Sequence, residues 1–144
     1  MQLKTIEHDV FKLAKNLLER NRLGVLSTIA KDLSVQSAVV GYAECSDFSI
    51  IFGSDISSRK YNNLTKVPRV SFVIWEGNET LQYEGNASII DRETDEVNIH
   101  AQKHISFEKY KHIKTNIYYK ITPLWMRYSD FSTKPELVLS YSFK

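Results

Sequence analysis

The chain has 144 residues, enough for one domain that buries its own core without disulfide or metal staples. Its 19 Lys and Arg stand against 17 Asp and Glu, so it lacks the basic excess of a general nucleic-acid or membrane-surface binder, and any anion site must be local. The single cysteine, Cys45, excludes an internal disulfide and reads as an inert small residue; no run approaches the ~20 apolar residues of a membrane span, and the N-terminus lacks a signal-peptide pattern, so a cytoplasmic protein is expected.

Residues 5–21 predict an amphipathic helix. Ile6, Val10, Leu13, Ala14, Leu17 and Leu18 recur at helical spacing, Thr5 is a candidate cap, and Asn21 with Gly24 a candidate stop. From Leu23 the period changes to that of strands. Residues 23–30 and 35–44 flank the turn 31–34, and 48–53 form a short third run. Residues 68–75 are almost continuously apolar toward their end, which predicts a strand covered on both faces. After the turn 76–78, Leu81, Tyr83, Gly85, Ala87 and Ile89 alternate with Gln82, Glu84, Asn86 and Ser88, the pattern of a half-buried strand. Residues 93–113 read as two short helices, the second capped by Ser106, and 116–127 and 136–143 as the last strands. Six or seven antiparallel strands with a few helices predict an α+β, mainly β, closed barrel or sandwich in a single domain covering 1–144.

The stretch 52–64 is the most informative. A strand ends at Phe52-Gly53-Ser54, a polar loop follows, and a helix starts with Ser57 or Ser58 as its cap, which puts Arg59 and Lys60 in the first helical turn. Cations there cost about 0.3–1 kcal/mol each against the helix dipole. Either the two side chains point into water as a plain surface turn, or they surround a phosphate together with backbone N–H groups and the serine hydroxyls. Gln82, between Leu81 and Tyr83, points away from the interior, and its amide can both donate and accept. Trp125 and Arg127 share one strand face, either lining a pocket or making a surface cation–π pair. His100 and His104 stand four apart on a helix. That spacing can bind a metal, but Ala101 replaces the glutamate of a zinc-protease helix and no third ligand is evident, so a solvated face is the expectation. The charged run 91–96 suits a helix start and calls for no functional reading.

Gly53-Ser54, Ser58-Arg59-Lys60, Leu64 and Val67-Pro68-Arg69-Val70, in that order, resemble the flavin-phosphate segment of the pyridoxamine 5'-phosphate oxidase-like family. The 81–87 stretch resembles its glutamine-containing strand, and 119–130 its late strand, so the resemblance spans about residues 10–130. It implies an FMN-binding split β-barrel that dimerises with flavin in the interface. Carried over, Gly53, Ser54, Ser58, Arg59 and Lys60 would hold the flavin phosphate, Gln82 the polar edge of the ring, and Trp125 and Arg127 would line the flavin or substrate pocket of the partner subunit. The true oxidase carries Arg-x-x-Leu-Leu-Lys on its second strand, where this chain has Ala38-Val39-Val40-Gly41-Tyr42-Ala43. Both basic residues are missing, and the shorter, stress-protein-like relatives are the nearer match. The resemblance thus implies an FMN-dependent oxidoreductase of a small-molecule substrate, with NADH or NADPH as a candidate donor. The alternative is the same barrel holding flavin or haem without turnover.

Overall fold

The computed structural model describes the backbone of residues 2–144 and the side chains of 7–106 and 109–144. Helix α1 (Gln2–Arg20) turns Val10, Ala14, Leu17 and Leu18 into the core. It starts before residue 5, and the side chain of Thr5, the expected cap, lies outside the described residues. Asn21 ends it as expected, donating its side-chain amide to the Leu17 carbonyl at 2.9 Å.

Strands β1 (Leu23–Ile29), β2 (Val35–Glu44) and β3 (Ile50–Asp55) follow. Phe48 adopts a left-handed φ of 69°, so β3 begins two residues later than its apolar pattern suggests. After the short α2 (Arg59–Leu64) come β4 (Arg69–Glu76), β5 (Glu79–Ile90), α3 (Asp95–Lys103), a 3₁₀ segment (Ile105–His112), β6 (Asn116–Asp130) and β7 (Leu137–Ser142). His104, not Ser106, stands at the N-cap position of the 3₁₀ segment, and its side chain makes no capping hydrogen bond.

All pairings are antiparallel, in the order β3-β2-β1-β4-β5-β6-β7. A further pairing of β3 with β6 closes six strands into a barrel, and β7 extends the sheet beyond it. The fold is therefore α+β, mainly β, and of the two architectures that the strand count allows it is the closed barrel, not the sandwich. Tyr42, Phe52, Phe72, Tyr83, Met126 and Tyr128 fill its interior together with the apolar face of α1. A bulge lies between Glu84 and Gly85, where a Cβ on Gly85 would come within 2.4 Å of the Thr122 carbonyl oxygen, so only glycine fits.

Two expectations about coverage fail. Strand β4 is covered on one face only: Phe72 and Ile74 are buried, while Ser71 and Trp75 are exposed and Val73 is half-buried. Helix α3, in contrast, is not a solvated face. It packs Val97 against Ile51 and Tyr118 outside the barrel, and it buries both His100 and His104.

Candidate functional site

A groove of about 490 Å³, within the usual range for small-molecule sites, runs along the outside of β2 and β3. Val39, Val40 and Gly41 form one side; Gly53 and Ser54, at the end of β3, lead into Ser58 and Lys60 on α2. His100, Tyr110, Ile113 and Asn116 close the opposite side. The stretch of β2 that borders the groove is thus an apolar wall and a glycine. Gly41 gives the His104 ring room, since a Cβ there would meet it at 3.1 Å and the ring would have to shift by a few tenths of an ångström.

The β3–α2 connection is built by short polar side chains. Ser58 caps α2, accepting the Tyr61 N–H at 3.2 Å, and its hydroxyl lies 2.6 Å from that of Ser54. Asp55 also borders the groove, but its carboxylate is engaged by the Ser57 N–H and the Thr115 hydroxyl, each at 2.9 Å. These bonds hold it below the usual carboxylate range.

Lys60 and Arg59 differ in placement. Lys60 is half-buried and lines the groove, and burial together with the adjacent Arg59 charge pushes its pKa down. Arg59 is exposed and borders a separate cleft of about 70 Å³ with Thr28, Gln36 and Ser37, a cleft that Lys60 also reaches. Among the described residues neither cation has a carboxylate partner. With α2 only six residues long, the desolvated ammonium, not the helix dipole, carries the case for an anion.

The remaining expected site residues do not reach this groove. Across the sheet, Val39, Val25, Val73, Gln82, Arg127 and Ser140 form one continuous cross-strand row on the outer face. Gln82 is exposed, and Arg127 sits opposite it, with its guanidinium 5.1 Å from the Trp125 ring and donating to the Ser140 hydroxyl at 2.8 Å. Leu23, Val39 and Trp75 are 56, 63 and 57% exposed on this face, which makes it an open apolar strip. Hence Gly53, Ser54, Ser58 and Lys60 gather at one place, and Gln82, Trp125 and Arg127 at another.

The far wall overturns the solvated face expected of His100 and His104. His100 gives its Nε2 proton to the Gly41 carbonyl (3.1 Å), and His104 gives its own to the Tyr42 carbonyl (2.6 Å). A carbonyl can only accept, so both rings carry their proton on Nε2. Burial lowers both pKa values, that of His100 to about 4, and keeps the pair neutral. Among the described residues no cluster of three metal-ligating side chains forms. The visible signal was the spacing of Val97, His100 and His104 at i, i+3 and i+7, a stripe that marks a buried face. Arg92 holds the turn that carries Ile113 and Asn116: its guanidinium donates to the carbonyls of Lys111, Ile113, Lys114 and Asn116 at 3.2–3.4 Å. Cys45, pushed up to about 11 by burial, is not poised as a nucleophile.

A closed antiparallel barrel with a serine- and lysine-lined groove at the β3–α2 connection defines a split-barrel, pyridoxamine 5'-phosphate oxidase-like protein. Residues 11–130 match the family described as pyridoxamine 5'-phosphate oxidase, and the chain belongs to it. General stress protein 26 from Bacillus anthracis str. Sterne superposes with a TM-score of 0.69 at 22% identity, covering 83% of this chain and 92% of that one. A protein related to general stress protein 26 (pyridoxinephosphate oxidase family) from Clostridium acetobutylicum gives 0.75 at 13%, covering 94 and 95%. A haem-binding protein from Mycobacterium smegmatis gives 0.80 at 12%, covering 92% of this chain but only 57% of that longer one. At these identities the likeness is one of fold. No curated protein matches the chain. No helix among the described residues is long and apolar enough to cross a membrane.

Proposed function

We propose that this chain is an FMN-binding flavoprotein that acts as a homodimer, with the flavin phosphate at Ser54, Ser58 and Lys60, and that it serves as a flavin-dependent oxidoreductase of a small molecule. The carrying observation is Lys60: a half-buried ammonium without a carboxylate partner among the described residues, beside two hydroxyls and at the mouth of a groove large enough for a nucleotide. Removing a charge from water without a counter-ion is costly, and a phosphate supplies the counter-ion. Arg59, one residue earlier and more exposed, adds to the positive field at the same end.

The dimer reading rests on the split between the two groups of residues. The face bearing Gln82, Trp125 and Arg127 is open and bordered by apolar Leu23, Val39, Val73 and Trp75. A second copy over this face would cover the strip and bring its own Gln82 and Arg127 toward the groove. Bound FMN supplies the hydride and electron chemistry; the protein's part is to hold the phosphate, orient the ring and exclude water.

A haem reading is favoured less. The haem-binding neighbour shares only the fold, whereas Lys60 and the Ser54 and Ser58 hydroxyls at the groove suit a phosphate. The test is the visible spectrum of the purified protein with and without added FMN, followed by anaerobic NADH or NADPH. Flavin bands that bleach on reduction support an enzyme, and flavin bands that persist support a carrier. A Soret band, or no retention of FMN at micromolar concentration, rules the reading out.

A further inference from the structure

The groove has one polar side chain whose chemistry is fixed by its neighbours and which the phosphate reading leaves unused. His100 is buried to 7% exposure and is held on three sides. Its Nε2 donates to Gly41, the His104 ring stacks at 4.6 Å between centroids, and Tyr118 meets it edge-on at 5.6 Å. Commitment of Nε2–H to a carbonyl makes Nδ1 an acceptor and nothing else. Nδ1 has no hydrogen-bond partner among the described residues, yet it is not sealed: Tyr119 Oη is the sealed side-chain polar atom of that set without a partner. The open space that His100 borders is the groove.

We infer that His100 is a specificity-determining residue of this groove, its Nδ1 accepting a hydrogen bond from a hydroxyl of the ligand's polyol chain. The inference rests on the FMN reading above and extends it, because it names the part of the ligand recognised between phosphate and ring. An acceptor-only imidazole favours a hydroxyl and repels a second anionic oxygen. Together with Lys60, it sorts phosphorylated polyol ligands from polyanionic ones of similar size. The apolar wall at 39–40 offers the acceptor no donor, so a ligand chain without hydroxyls leaves it unmatched.

The experiment is a two-by-two titration of flavin fluorescence. FMN and a flavin carrying a phosphoalkyl chain without hydroxyls are bound to the native protein and to His100→Phe, which keeps a ring between His104 and Tyr118. His100→Phe is expected to weaken FMN about tenfold and to leave the phosphoalkyl flavin within about twofold. Equal losses for both ligands, or no loss for either, overturn the inference while leaving the FMN reading in place. Failure of the native protein to bind either flavin overturns both. Should His100→Phe not fold, the native protein labelled with ¹⁵N-histidine decides instead. On adding FMN the His100 Nδ1 resonance should move toward the hydrogen-bonded range with Nε2 still protonated, and an unmoved resonance overturns the inference.

Discussion

His100 on α3 and His104, the residue just past its end, stack ring on ring and donate to successive carbonyls of β2, Gly41 and Tyr42. The pair fastens the groove's far wall to its floor, and burial keeps both rings neutral.

That neutrality predicts an acid-labile fold. The folded pKa of His100 is lowered to about 4 from an ordinary 6.5, and that of His104 is lowered as well. The unfolded chain therefore binds more protons than the folded one below pH 6.5. The stabilisation is complete above that value, falls as pH drops, and is gone near pH 4; His100 contributes up to about 3 kcal/mol of it. Urea unfolding at pH 7.5 and 5.0 should show native stability dropping, with His100→Phe dropping distinctly less. Identical slopes would show that His100 titrates normally.

Lys60 and Arg59 should differ in effect. Lys60→Ala removes a half-buried cation that faces the groove, so FMN affinity should fall 10- to 100-fold, the worth of a charge-assisted hydrogen bond. The apoprotein should be unchanged or up to about 1 kcal/mol more stable, since a desolvation cost and a like-charge neighbour disappear. Arg59→Ala, at an exposed position, should cost FMN less than Lys60→Ala. Titration with FMN alongside thermal melts of the apoproteins checks both. A loss of several kcal/mol in the Lys60→Ala apoprotein would point to a structural ion pair.

The barrel and the gathering of Ser54, Ser58 and Lys60 at one end of the candidate site are legible in the sequence because both are written locally. Period-two alternation at 81–89 gives the half-buried strand, and a Ser-Ser-Arg-Lys run after a strand gives the cap and the cations. Arg59's departure from the groove was not legible, because adjacent helical residues point about 100° apart and which one faces inward depends on how α2 docks. The burial of His100 is written in the Val97–His104 stripe, but the polarity of imidazole masks it. Arg92's four carbonyls lie 19–24 residues downstream, beyond any local pattern.

Arg92 should matter to binding without touching ligand. It gathers the carbonyls of 111, 113, 114 and 116, and the turn it gathers presents Ile113 and Asn116 to the groove. Arg92→Ala should cost about 1–2 kcal/mol of stability and speed amide exchange in residues 110–116. Arg92→Lys should recover only part of this, because a point charge cannot fork to four acceptors. Exchange confined to other segments would separate Arg92 from the wall.

The open sheet face gives the last prediction. Val73 lies mid-row between Val25 and Gln82, on the exposed side of β4 and outside the groove lining. A charge there leaves the barrel interior untouched but must be desolvated if a second copy covers the face, at a cost of several kcal/mol. Val73→Lys should therefore give a folded monomer by sedimentation, and FMN affinity should fall with it, since Gln82 and Arg127 reach a groove only across the interface. Gln82→Ala should weaken FMN by about tenfold while the dimer persists. A Val73→Lys protein that stays dimeric and binds FMN fully would place the interface elsewhere, and Gln82 would then be an ordinary exposed amide.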